Sequence, residues 1–476
     1  MNHPTVPPVH AFTDDVLGNG DAVEIALRIR RGNITAIEAI QAAINRANAV
    51  DPHLAAIAIE DFERARNTQI PDGSAAFAGV PTFVKDMTDV AGLPTRFGCA
   101  TLNNRAPARK THKIAQQLFD MGMVSIGKST MPEFGFTPST EFPDAPPTRN
   151  PWNPNHSAGG SSGGAASLVA AGVVPIANAA DGGGSIRIPA AACGLVGLKP
   201  TRGRISPAQS AEPFVGLVTD GVVTRSVRDT ALFYTENEKL YQSRKLPGIG
   251  PVDRPLERSL RIGVVTKSPT GAELDSVTRR ELDSCVRLLE NLGHKVEPYD
   301  LELDDQFTED FISFWSALAF LVAATSRWTL GPEFDRSKLA DVTQGLARQG
   351  KSRLWRLPGA IRRLRNSHQQ YSEQFTSMDV MLCPVVGQLT PEIGHLGMDL
   401  PFDTLFPRVE QWACFTPYAN ATGGPVISLP VGFDEPSNLP VGMMFSADTG
   451  QDRLLLELGL QLEEAAPWKT IQQPRT

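Results

Sequence analysis

The chain has 476 residues, 41% apolar and 20% charged, a composition that can bury a core and does not fit a disordered chain. Its formal net charge of -7 argues against a nucleic-acid backbone as partner, and the cluster Arg362, Arg363 and Arg365 reads as a solvated helix face. The five cysteines are widely spaced and fit no zinc or redox pattern, which favours a reducing, cytoplasmic setting. The first residues lack a basic segment followed by an apolar core, so no secretory leader is expected, and the apolar stretches read as too interrupted to cross a membrane.

In chain order, DDVLGNGDAVEIALRIRRGN has helical spacing. Thr35 and Glu38 form a capping box for a second helix, which the Asp51-Pro52 pair should stop. A short strand follows in LAAIAIE, then a short helix over 61–67. Val80–Val84 reads as a strand with Lys85 just beyond it, 111–122 as an amphipathic helix, and Met123–Ile126 as a strand ending at Gly127. Between two glycine-rich runs, GGSSGG and ADGGGS, lie a helix and a strand placed at Val173–Ala177. Further on, strands are expected over Leu260–Val265, His294–Pro298, Asp379–Pro384 and Val426–Pro430, with a helix over Ser276–Leu292. Residues 304–375 read as helical throughout, an insert or cap over the sheet. The alternation of helix, strand and glycine turn predicts an α/β fold with a sheet covered by helices.

Three glycines precede Ser185 in ADGGGSIRIP. Consecutive glycine N–H groups can converge on a developing oxyanion while the serine attacks, or bind an anion at a helix start, or simply form a turn. Ser161 and Ser162 stand in GGSSGG, 24 residues before Ser185 when counted from Ser161. A nucleophilic serine needs a base. None of the eight histidines stands in a metal or catalytic spacing, and His156 in NPNHSAGG reads as a satisfied loop residue. A desolvated lysine is the alternative base. Lys85 is the first choice, with Lys128 and Lys199 as rivals.

The stretch SAGGSSGGAASLVAAGVVPIANAADGGGSIRIPAAACGLVGLKPTRGRIS resembles the amidase signature family, as do GVPTFVKDMTDVAGLPT, IGKSTMPEFGF, NPWNP, VTRSVRDTALF and TGGPVISLPVG. The resemblance runs over nearly the whole chain and is poorest across 304–375. It implies a single amidase domain over 1–476, built on one large mixed sheet of about eleven strands wrapped by helices. By resemblance, Lys85, Ser161 and Ser185 match the catalytic trio, with Ser161 preceded by a cis peptide bond. The N–H groups of Gly182, Gly183, Gly184 and Ser185 match the oxyanion hole, and Asp181 and Arg187 match residues that brace the loop. Phe134 and Phe136 are expected in the substrate pocket, with Trp315, Phe320 and Trp328 added by the cap.

No metal or organic cofactor is implied. The expected partner is a small-molecule amide, linear or cyclic, with a homodimer left open and no nucleic acid or membrane. ADGGGSIRIPAA resembles the cyclic-dimer hydrolases of aminohexanoate within the family. The alternatives are an A-type subunit of a glutamyl- or aspartyl-tRNA amidotransferase, or a non-catalytic binding protein of the same fold. The chain departs from the amidotransferase strings DTGGSIRQP and SLDQIGP, and it carries Ala180 where the family often has threonine, which removes one side-chain hydrogen bond near the loop.

Overall fold

A computed structural model describes residues 6–69, 74–210, 212–332 and 334–472. The strands among them are β1 (Ile57–Glu60), β2 (Pro81–Lys85), β3 (Val124–Ser129), β4 (Ile176–Asp181), β5 (Val196–Lys199), β6 (Thr219–Thr224), β7 (Arg261–Val264), β8 (Lys295–Pro298), β9 (Val380–Pro384), β10 (Val426–Asp434) and β11 (Leu439–Ser446). They form a mixed sheet system, hydrogen-bonded as a three-stranded unit in the order β1-β3-β2 and an eight-stranded unit in the order β4-β6-β5-β10-β11-β9-β7-β8. Helices cover both units, and one hydrophobic cluster extends from Ala11 to Leu462.

The two units meet where β2 lies beside β4. Side chains take the place of a backbone ladder at this seam. Thr82 Oγ1 donates to the Ile176 carbonyl at 2.9 Å, and Asn178 Oδ1 accepts from the Lys85 N–H at 3.2 Å. Asn178 also donates to the Gly221 carbonyl on β6 at 3.2 Å. The expected single sheet of about eleven strands is therefore present as three plus eight strands stitched by polar side chains. Buried backbone groups still find partners across the gap, as they must to avoid a desolvation cost.

Several boundaries differ from the sequence expectations. Pro52 does not end its helix, which runs Ala36–Leu54. The Asp51 carboxylate accepts the Ala56 and Ile57 N–H groups beyond the helix, which offsets the ladder bond that proline removes. Gly127 lies inside β3 rather than ending it. A Cβ there would come 2.3 Å from the Ile59 carbonyl oxygen, so β1 packs against bare backbone. The strand expected at Val173–Ala177 is shifted to Ile176–Asp181, because Pro175 has no N–H for the ladder and the small residues after it are buried.

The segment 304–375 is helical, as read, over Phe307–Thr329, Asp341–Ser352 and Leu357–Gln374, with short turns between. Contrary to the sequence expectation, Phe307–Thr329 is long and apolar enough to cross a membrane by length and composition. Here it packs on neighbouring helices. Gly350 sits so close to it that a Cβ would lie 2.1 Å from the Ser316 carbonyl, and Arg363 holds Asp310 through two hydrogen bonds of 2.6 and 2.7 Å.

Candidate active site

Lys85 ends β2, 1% exposed, with its ammonium-bearing atom inside the protein. Its Nζ lies 2.7 Å from Ser161 Oγ, 2.9 Å from Ser162 Oγ and 3.4 Å from the Ala180 carbonyl. Burial pulls the Lys85 pKa down to about 7, against the opposing charges of Asp220 and Asp181. Asp220 is buried on β6, where desolvation pushes its carboxyl up to about 7 and Lys85 counteracts. The rival lysines are engaged elsewhere. Lys128 Nζ pairs with Asp86 at 2.7 Å, and Lys199 Nζ donates to the Pro200 carbonyl at 2.9 Å. His156 Nδ1 lies 2.9 Å from the Thr390 carbonyl, which matches its reading as a satisfied loop histidine.

Ser161 precedes the helix Gly163–Ala170, and the Gly160–Ser161 peptide bond is cis. Close packing explains the glycines around it. A Cβ on Gly160 would lie 2.9 Å from Ser139 backbone, and one on Gly164 would lie 2.4 Å from the Thr130 nitrogen. Ser162 Oγ contacts both Ala180 backbone groups at 3.3 Å, so it ties the serine loop to β4 where Ala180 offers no side chain.

The second glycine run turns from β4 into the helix Arg187–Cys193 and carries Ser185, 8% exposed. The Asp181 carboxylate organises this turn. It accepts from Gly184 N–H at 2.7 Å and Ile186 N–H at 3.2 Å, and it receives Arg187 Nε at 2.9 Å and Nη2 at 3.0 Å. Burial disfavours its charge, but Arg187, Asn420 and Lys199 outweigh this and hold the carboxyl well below the usual range. Gly184 departs from expectation. Its N–H points to Asp181 rather than into the cavity, which leaves Gly182, Gly183 and Ser185 as candidate oxyanion donors. Gly184 has φ +127°, and a Cβ there would strike Thr416 Oγ1 at 2.3 Å.

Sequence reading missed the far side of this loop. Asn420 Nδ2 donates to the Asp181 backbone carbonyl at 3.0 Å and to its carboxylate at 2.8 Å, while Asn420 Oδ1 accepts from Arg187 at 2.7 Å. Thr416 Oγ1 donates to the Gly183 carbonyl at 2.6 Å. Thr416 is the N-cap residue of the helix Pro417–Thr422 and Asn420 lies within it, both more than 230 positions from the loop they hold. The segment TGGPVISLPVG, just beyond, was the nearest signal.

Lys85, Ser161 and Ser185 line one cavity of about 390 Å³, together with Ala180 and Gly182. Phe134, Phe136 and Trp315 are on its wall. Trp328 is not. It is 81% exposed on the outer face of its helix, where the helical turn carries it away from the face that Trp315 presents inward. Phe320 is half-buried and is not among the lining residues.

The family profile described as Amidase matches residues 38–456. The chain belongs to the amidase signature family. This amidase-signature hydrolase is 46% identical over 471 residues to "Putative amidase AmiC" of Mycobacterium tuberculosis (strain ATCC 25618 / H37Rv), covering 98% of each chain. It is 32% identical over 480 residues to the 6-aminohexanoate-cyclic-dimer hydrolase of Paenarthrobacter ureafaciens, covering 94% of this chain and 95% of the relative. A solved structure of 6-aminohexanoate cyclic dimer hydrolase complexed with substrate superposes with a TM-score of 0.86 at 29% identity, over 96% of this chain and 98% of the other. The α/β fold with a large mixed sheet is thus the amidase signature fold.

Proposed function

We propose that the protein hydrolyses a carboxylic amide through an acyl–Ser185 intermediate, with Ser161 and Lys85 as the proton relay. The observation that carries this reading is the 2.7 Å contact between Lys85 Nζ and Ser161 Oγ, made in the cavity that Ser185 also lines. Neutral Lys85 accepts the Ser161 hydroxyl proton as Ser161 accepts that of Ser185. Ser185 Oγ forms a bond to the amide carbon, and the carbonyl oxygen takes up negative charge facing the N–H groups of Gly182, Gly183 and Ser185. The C–N bond then breaks as Ser161 passes its proton to the departing nitrogen and takes back the proton held by Lys85, which returns to its neutral form. Water, deprotonated through the same relay, attacks the ester and releases a carboxylate and free Ser185. Asp181, Arg187, Asn420 and Thr416 act as positioning residues for the glycine turn. The helices of 304–375 serve as the cap, since Phe307–Thr329 supplies Trp315, Leu318 and Val322 to the cavity wall. The resemblance to a cyclic-dimer hydrolase supports amides flanked by aliphatic chains as substrates.

Purified protein should release ammonia or amine from members of a panel running from acetamide to long aliphatic, anilide and cyclic amides, and Ser185→Ala should abolish release. A fluorophosphonate should leave its adduct on Ser185. An adduct on another residue, or turnover retained by Ser185→Ala, overturns the reading. Release without any added protein separates the proposal from an amidotransferase subunit.

A further inference from the structure

Ser185 borders two cavities, not one. The first is the space it shares with Lys85 and Ser161. The second is lined by Gly183, Ile188, Phe307, Phe311, Val409 and Tyr418, but by neither Lys85 nor Ser161. Both cavities share Gly135, Phe136, Trp315 and Ser185. Phe136 and Trp315 meet edge to face with ring centroids 5.6 Å apart, and Phe311 stacks on Trp315 at 5.9 Å. Phe136 and Trp315 thus belong to the wall that the two mostly apolar spaces share beside Ser185.

The chemistry assigns a side to each. The carbon attached to Ser185 Oγ carries an oxyanion, an acyl substituent and a nitrogen. The nitrogen must receive its proton from Ser161, so it and its substituent must lie where Ser161 is. The oxyanion faces the glycine turn. Only the acyl substituent is left for the space that Ser161 does not reach.

We propose that the two cavities are separate acyl and amine sites, and that the preferred substrate is a secondary amide with apolar groups on both the carbonyl and the nitrogen. The acyl chain occupies the space bounded by Phe307, Phe311, Val409 and Tyr418. The amine substituent occupies the space bounded by Phe134, Leu318 and Val322. This rests on Ser185 as nucleophile and Ser161 as proton donor. It predicts that primary amides and glutamine-like side chains, which leave the amine space empty or put charge in the acyl space, are the poorer substrates.

Octanamide and N-hexylacetamide are constitutional isomers that place one apolar chain on opposite sides of the amide. Val409→Trp fills the acyl space and should cut kcat/KM for octanamide about ten-fold or more while changing N-hexylacetamide less than about two-fold, since even one methylene more or less in a hydrophobic pocket is worth about ten-fold or more. Val322→Trp fills the amine space and should do the reverse. The wild type should prefer N-hexyloctanamide to either isomer. Each variant alone separates the isomers, and turnover of the spared isomer shows that it has folded, so the failure of one variant leaves the other decisive. A reversed pattern overturns the assignment of sides. Both variants impairing the same isomer, or a wild type that turns over N-hexyloctanamide more poorly than both isomers, overturns the two-site arrangement. Fluorophosphonate labelling of Ser185 is read in parallel. Labelling elsewhere removes the nucleophile reading itself, whereas labelling at Ser185 with the wrong isomer pattern removes only the two-site proposal.

Discussion

Lys85 is buried without a carboxylate in direct contact, and its nearest partners are two serine hydroxyls. Such a lysine is neutral for much of the time near pH 7, where an exposed one is almost fully charged. The proposed relay needs the neutral form, so kcat/KM should rise as pH climbs through about 7. Asp220 opposes this by favouring the ammonium. Asp220→Asn removes that negative charge, lowers the Lys85 pKa further and should move the acid limb of the pH–rate profile to lower pH. An unmoved limb would mean that Asp220 carries no charge in the working enzyme. Lys85→Ala should lower kcat/KM by about 10²–10⁴-fold across the neutral range, the usual scale for losing a general base.

At the scale of elements, the helix Phe307–Thr329 decides what the cavity walls are made of. Trp315 lines both spaces beside Ser185, whereas Trp328, almost four turns later, faces solvent. Trp315→Ala should therefore change the ranking of substrates in the amide panel. Trp328→Ala should leave ranking and stability nearly unchanged, within about 0.5 kcal/mol by urea unfolding, as for other exposed positions. A ranking altered by Trp328→Ala would place that ring at the entrance after all. Apolar spacing revealed this helix in the sequence, but not which of its aromatics turn inward, because that depends on where Gly350 lets the neighbouring helix approach.

For the whole molecule, the sequence was most informative where short-range chemistry is dense. The glycine runs around Ser161 and Ser185 marked backbone with no room for side chains, and the structure has close contacts at both. Asn420 and Thr416 were not legible, because an isolated asparagine or threonine carries no sign of a partner more than 230 residues away. The split into three and eight strands was hidden for a related reason. Thr82 and Asn178 bridge the units through single side chains that look ordinary in their strands. The cysteines are the simpler case. All five are buried, and burial raises every thiol pKa. Native protein should resist iodoacetamide, with alkylation measured by mass spectrometry appearing only in denaturant. Alkylation of a cysteine in the folded state would show that its surroundings open.

The seam between β2 and β4 makes the chemistry conditional on assembly. In the proposed mechanism the base, Lys85, belongs to the smaller unit and the attacking serine, Ser185, to the larger, while Ser161 stands between them. Neither unit alone holds a working set, much as a lock needs two keys turned together. A newly made or partly melted chain with β2 undocked would have an inert Ser185 in front of cellular amides. Competence to cleave would then arrive only when the seam closes, and the reaction itself would report that the last large piece of the fold is in place.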